Sequence, residues 1–297
     1  MVKSARRGFH GLRWMAAVVL TMAAGLACGL PARAEESGSR PDSAEDWLFS
    51  EPAAAEGFAP SYKPLPIPRD SEKSWLFDAD ATFNTKYVWR GIDRNDDPVL
   101  QMAAYFSFQG LSVGAWGNLD LTDENDRSGE FSEGQYAADY TWLWSEVRMS
   151  VGAIYYDFPG SNRDSTSEVY VGAGLNMPLS PTLMLFYDFD EADGAYIPLS
   201  LSYTIPGAWK PFQDVRMTAT IFGSVAYGTS DFNEYYYGVD DNAFTDAQIG
   251  LALPMVFTPN FKVTPLIRFT SLLDSDIRDN MDDDDNLVIG VGAEVRF

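Results

Sequence analysis

From Trp75 to the carboxy terminus the chain alternates apolar and polar residues at period two, and it nowhere gathers the ~18 consecutive apolar residues that a membrane-spanning helix requires. Strict alternation puts every second side chain on the same face of a strand. The first segment shows it plainly. Phe77, Ala79, Ala81, Phe83, Thr85, Tyr87 and Trp89 fall on one face, and Asp78, Asp80, Thr82, Asn84, Lys86, Val88 and Arg90 on the other. One face suits lipid and the other water. Similar apolar rows recur, among them Leu100-Met102-Ala104-Phe106-Phe108, Tyr136-Ala138-Tyr140-Trp142-Trp144, Leu183-Leu185-Tyr187-Phe189 and Leu287-Ile289-Val291-Ala293-Val295-Phe297.

Counted this way, the chain predicts about twelve strands of bilayer-crossing length. Gly110, Ser145 and Leu179-Ser180-Pro181 mark tight turns. Long acidic links at 121–133, 228–242 and 274–285 fall between them. Short turns on one side and long loops on the other are the asymmetry of a transmembrane antiparallel β-barrel, and a soluble sandwich has no reason to sort its connections so. The expected fold class is therefore all-β, a closed transmembrane barrel. Closure follows from the solvent: a bilayer offers no water to an open strand edge. Aromatic pairs near strand ends, such as Trp75-Phe77 and Trp142-Trp144, suit interfacial girdles.

The region before Trp75 reads differently. Lys3, Arg6, Arg7 and Arg13, then an Ala-rich apolar run at 15–30, then Ala32-Arg33-Ala34, make a signal peptide with cleavage expected after Ala34. Residues 35–74 are rich in Pro, Ala and Ser and read as a disordered or extended periplasmic leader; a segment threading the barrel is the alternative. The expected division is thus 1–34 signal peptide, 35–74 leader and 75–297 barrel. The expected address is the bacterial outer membrane.

Composition then removes whole classes of function. Cys28 and His10 are the only Cys and His, and both precede the expected cleavage point. What remains can form neither a His-based triad nor a Cys or His zinc site, and no cofactor is expected. Ser residues are plentiful, but no His is left to activate one, so a lipid-modifying enzyme is disfavoured. Region 1–34 holds five of the 21 basic residues and none of the 43 acidic ones, which leaves the rest at −27. Nucleic acid is thereby disfavoured as a partner, since phosphate needs a basic footprint.

Charges are expensive against lipid and cheap in water, so the expected lumen row is Asp78, Asp80, Asn84, Lys86, Arg90, Arg148, Glu168, Arg216, Asp246, Lys262, Arg268, Glu294 and Arg296. Two readings stay open. The row lines a channel, with Lys86, Arg90, Arg148 and Arg268 opposing Asp78, Asp80, Glu168 and Glu294 across it. Or it fills and closes the barrel, about twelve strands being intermediate between filled eight-stranded and open sixteen-stranded cylinders. The cluster Asp279, Asp282, Asp283, Asp284 and Asp285 is a weak candidate for Ca²⁺ or Mg²⁺, but lacks the Gly and terminal Glu of an EF-hand loop. A solvated loop tip, bridged to lipopolysaccharide by divalent ions, is the plainer alternative.

The first hairpin carries a resemblance. Phe83-Asn84-Thr85-Lys86-Tyr87-Val88-Trp89-Arg90-Gly91-Ile92, then Asp97-Pro98-Val99-Leu100-Gln101, then Gly110-Leu111-Ser112-Val113-Gly114-Ala115-Trp116-Gly117-Asn118 resembles the TorF porin family. Arg90-Gly91, Pro98, Gln101, Trp116 and Gly117 fill that family's positions, and the match is specific over 83–118. The loop after Gly91 is more acidic than the family's, with Asp93, Asp96 and Asp97, and the leader is longer. The resemblance implies an outer-membrane barrel passing small solutes. The terminal Phe297 resembles the signal that barrel-assembly machinery reads, so the expected partners are that machinery, outer-membrane lipid, lipopolysaccharide and small solutes.

Overall fold

The computed structural model describes residues 75–123 and 128–297. The expected signal peptide and leader lie outside the described residues. Twelve strands form the wall: β1 (Trp75–Asn84), β4 (Val99–Phe108), β5 (Leu111–Asp120), β6 (Phe131–Trp144), β7 (Val147–Asp157), β8 (Thr166–Leu175), β9 (Thr182–Asp188), β10 (Gly194–Thr204), β13 (Thr220–Gly228), β14 (Ala243–Ala252), β16 (Phe261–Leu272) and β17 (Asp285–Arg296). Each pairs antiparallel with its neighbours in that order, and β17 pairs with both β16 and β1, which closes the cylinder. Short pieces β11 (Trp209–Phe212), β12 (Val215–Met217) and β15 (Met255–Thr258) extend β10, β13 and β14 past irregularities on the turn side. Pro206 and Pro254 sit at two of these breaks, where a residue without an N–H cannot continue the ladder.

Turn chemistry sets the register. Gln109-Gly110 joins β4 to β5 with both residues in the left-handed region, at φ 49° and 88°. That is the two-residue hairpin whose twist matches its strands. At Gly110 a side chain would meet the Thr141 carbonyl oxygen at 2.5 Å, so this turn also needs glycine for space. Asp78 then pairs with Tyr105 and Arg296, and Asp80 with Ala103 and Glu294.

The period-two pattern is realised as two solvents. Outward residues such as Phe83, Val171, Leu183, Leu201, Ile249, Ile289 and Val291 stand exposed, although all are large and apolar. Trp75, Phe108, Trp142, Trp144 and Phe297 ring the turn side, and Phe83, Phe131, Phe189 and Phe244 ring the loop side. An apolar belt between two aromatic rings is the exterior of a membrane-embedded barrel. No described helix is long and apolar enough to cross a membrane; the crossing elements are strands. Val291 lies mid-strand on this belt. Val291→Arg is expected to destabilise the barrel by about 2–4 kcal/mol, read as a lower urea midpoint in lipid vesicles.

The first strand departs from expectation. Alternation predicts a strand through Arg90, yet β1 ends at Asn84. Residues 85–98 turn back into the cylinder as a small hairpin, β2 (Tyr87–Trp89) and β3 (Ile92–Asn95). Tyr87 and Trp89, placed on the lipid face by parity, are 2% and 3% exposed and belong to the interior cluster. The links at 228–242 and 274–285 also fold inward. They form α1 (Ser230–Tyr237), which buries Phe232 and Tyr237, and the shorter α2 (Ser275–Asn280), which buries Ile277. Asn280 donates a hydrogen bond to the Tyr237 carbonyl, tying the two links together.

Candidate functional site: the filled lumen

Two polar systems occupy the interior, one at each end. On the turn side, the closing seam gathers four of the expected lumen residues. Arg296 Nε donates to Asp78 Oδ2 at 2.9 Å, and Arg296 Nη2 reaches Glu294 at 3.1 Å. Lys262 Nζ lies 3.0 Å from the other Glu294 oxygen. The four come from β1, β16 and β17, so these charges cross from strand to adjacent strand and not across the lumen. Asp78 and Glu294 therefore answer to Arg296 and Lys262, instead of the opposing cations expected from sequence. Asp80 pairs in register with Glu294, inside the same seam.

On the loop side the hairpin tip drives Arg90 into the opposite wall. Its two Nη atoms donate to the two Glu168 carboxylate oxygens at 2.7 and 2.8 Å, and neither side chain has any exposed surface. A planar fork meeting a planar carboxylate is the strongest geometry available to such a pair. Tyr156 donates its hydroxyl to Glu168 Oε2 at 2.7 Å. Four rings surround the guanidinium: Tyr196 at 4.4 Å, Trp89 at 4.5 Å, Phe186 at 5.1 Å and Phe232 at 5.3 Å to the centroids. Burial works against the Arg90 charge, and the Glu168 carboxylate together with Tyr156 and Tyr196 more than offsets it, so the guanidinium is held above its ordinary pKa. Expected as lumen lining, Arg90 is instead the core of a plug. It lies beyond the end of β1, and its side chain reaches across the lumen to Glu168 on β8.

A shell of hydroxyls and carboxylates fixes this cage. Tyr237 donates to the Arg90 carbonyl at 2.7 Å, Tyr236 to Asp188 at 2.8 Å, and Tyr196 to Asp246 at 3.0 Å. Tyr87 donates to Glu133 at 2.9 Å on the other flank. Burial pushes the Tyr236 and Tyr237 hydroxyls well above the usual tyrosine range, so both stay protonated and remain donors. Asn84, Gln101 and Asn118 continue the network as an amide ladder along β1, β4 and β5. Asp246, an expected lumen residue, belongs to this shell.

Of the remaining expected residues, Lys86, Arg148 and Arg216 fall outside both systems. Lys86 contacts Asp93 at 2.9 Å, Asp96, and Asn286 at 2.9 Å, which anchors the hairpin base to β17 and not to an opposing wall. Burial lifts the Asp93 carboxyl above its ordinary range, and Lys86 draws it back part of the way. Arg148 points inward from β7 and stays partly exposed, as does Arg216 on β12, whereas half-buried Arg268 on β16 interacts electrostatically with Asp246 and Tyr87 of the loop-side shell. Among the described residues no group of three or more His, Cys, Asp or Glu is arranged to hold a metal. Within the acidic loop, Asp284 pairs with Arg278 at 2.5 Å, while Asp279, Asp282, Asp283 and Asp285 are exposed.

The cage residues Tyr156, Phe186, Tyr196, Phe232 and Tyr236 were not legible as a site from charge alone. Their signal was parity: Tyr156, Phe186 and Tyr196 are large aromatics on the inward face, at the loop-side ends of three strands. α1 seats against β10 through Gly194, where a side chain would come within 2.2 Å of the Phe232 backbone nitrogen. Gly194→Val is expected to unseat α1 at a cost of about 1–3 kcal/mol, seen as faster proteolysis within 229–242 from the loop side.

No family model and no curated protein matches the chain. Among solved structures it is similar to the KdgM porin, at 13% identity and a TM-score of 0.46 over 74% of this chain and 99% of that one. It is similar to the NanC porin at 11% identity and 0.44, over 74% and 98%. A third is the COG4313 outer membrane channel from Pseudomonas putida F1, at 8% identity and 0.40, over 79% and 100%. At this distance the site rests on its own geometry.

Proposed function

We propose that this chain is an outer-membrane, porin-like channel for passive diffusion of small hydrophilic solutes, narrowed on its loop side by the hairpin of residues 85–98 and by α1. One observation carries the reading: a closed cylinder with an apolar outer belt turns charges of both signs inward, from Asp78 and Lys262 at one end to Glu168 and Asp246 at the other. A polar lining inside a membrane cylinder supplies the hydrogen bonds that a solute gives up on leaving water. The TorF likeness over 83–118 supports the same reading. Phe297 fits contact with assembly machinery through its exposed ring, while its backbone pairs with Phe77 at the closing seam. The exposed carboxylates of 279–285 fit a lipopolysaccharide surface bridged by divalent ions.

The buried Arg90–Glu168 pair favours a second reading, a closed structural or surface-binding barrel. Planar-bilayer recording of refolded protein separates the two. Discrete conductance steps are expected for the channel. A silent membrane, for the wild type and for a variant lacking the hairpin, refutes it and leaves the closed barrel.

A further inference from the structure

We propose that the Glu168 cage is a recognition site for solutes bearing a guanidinium or a similar planar cation, and that Arg90 is its tethered occupant in this state. The inference deepens the channel reading and rests on it. Apart from Trp89, the site is supplied by the wall and α1 and not by the hairpin: Glu168 from β8, Tyr156 from β7, Phe186 from β9, Tyr196 from β10 and Phe232 from α1. A carboxylate braced by a tyrosine hydroxyl and walled by aromatic faces binds a flat, weakly hydrated cation in preference to a compact, strongly hydrated one.

The occupant is not there for the sake of its turn. Arg90 and Gly91 are the two central residues of a hairpin flanked by the Trp89–Ile92 pair, with φ of 49° and 81°. Such a turn wants Asn, Asp or Gly at its first central position, because an ordinary side chain is disfavoured in the left-handed region. An arginine there is explained by where its head goes. The head is also gripped only at its tip: both Nη atoms are bonded, while the buried Nε has no hydrogen-bond partner. The wall thus reads the two terminal nitrogens and leaves the substituent side of the guanidinium unread. Outside, Asp96, Asp190, Glu191 and Asp231 stand exposed on the loop side, and a field of this sign concentrates cations at the mouth.

The test uses full-length Arg90→Ala, its folding checked by heat-modifiable gel migration, titrated with methylguanidinium chloride against sodium chloride at equal ionic strength. A saturable rise in melting temperature is expected with methylguanidinium alone. It should be absent from the wild type, whose cage is filled, and from Arg90→Ala/Glu168→Ala, whose cage has lost its carboxylate. No difference between the two salts in Arg90→Ala, or an equal response in the double variant, overturns the proposal. Should Arg90→Ala refold poorly, refolding yield is the readout: methylguanidinium must raise it where sodium does not, and an unchanged yield overturns the proposal equally. Potassium conductance of the wild type reports on the channel separately, so the cage can fail while the channel stands.

Discussion

Glu168→Ala is expected to destabilise the folded barrel by about 3–5 kcal/mol, because it leaves a fully buried guanidinium without the carboxylate that accepts both of its hydrogen bonds. Arg90 meets Glu168 through two hydrogen bonds and otherwise faces rings. Removing one partner of such a pair is far worse than removing both. Arg90→Leu/Glu168→Leu leaves no charge to desolvate and keeps the volume, so most of the loss should be recovered. Urea unfolding in vesicles, as a double-mutant cycle, checks this. If the double variant proved as unstable as Glu168→Ala, the loss would come from packing of the cage instead of the orphaned charge.

The second large effect is on conductance. Asn84 and Val99 are direct register partners at the ends of β1 and β4, so a short Asn-Gly turn can replace the inward hairpin without disturbing the wall. Combined with Glu168→Gln, which removes the carboxylate left behind, this truncation should raise single-channel conductance several-fold over wild type. The hairpin holds Tyr87, Trp89, Arg90 and Ile92, all buried in the lumen, and the truncation removes them together. An unchanged conductance would mean that α1 and α2 alone close the loop side.

These two results turn on the part of the molecule that alternation could not reveal. From β4 onward, parity read outward and inward faces well: Leu183, Leu199, Leu201 and Ile289 are exposed, and Glu168, Lys262 and Glu294 are buried. That works because lipid and lumen impose opposite demands on successive residues. The hairpin at 87–95 defeats it because its strands alternate too. Tyr87 and Trp89 satisfy an apolar demand made by an aromatic interior, and a sequence does not say whether an apolar face meets lipid or a core. The long links misled for a related reason. Their acidic residues stay in water, while Phe232, Tyr236 and Tyr237 recur at helical spacing in α1 and pack inward. Charge rows also say nothing of partners. Asp78 with Arg296 and Lys262 with Glu294 became legible only when closure brought β1, β16 and β17 together.

The central claim is a cylinder with lipid outside and a plugged polar lumen inside, and site-directed spin labelling in vesicles tests it most directly. Labels placed singly along β17 and at residues 87 and 89 are read for contact with oxygen, which partitions into lipid, and with a water-soluble nickel complex. Labels at Leu287, Ile289, Val291, Ala293 and Val295 should meet oxygen. Those at Val288 and Glu294, and at Tyr87 and Trp89, should be shielded from it. Absence of a period-two rhythm along β17, or strong oxygen contact at Tyr87 and Trp89, would contradict the account.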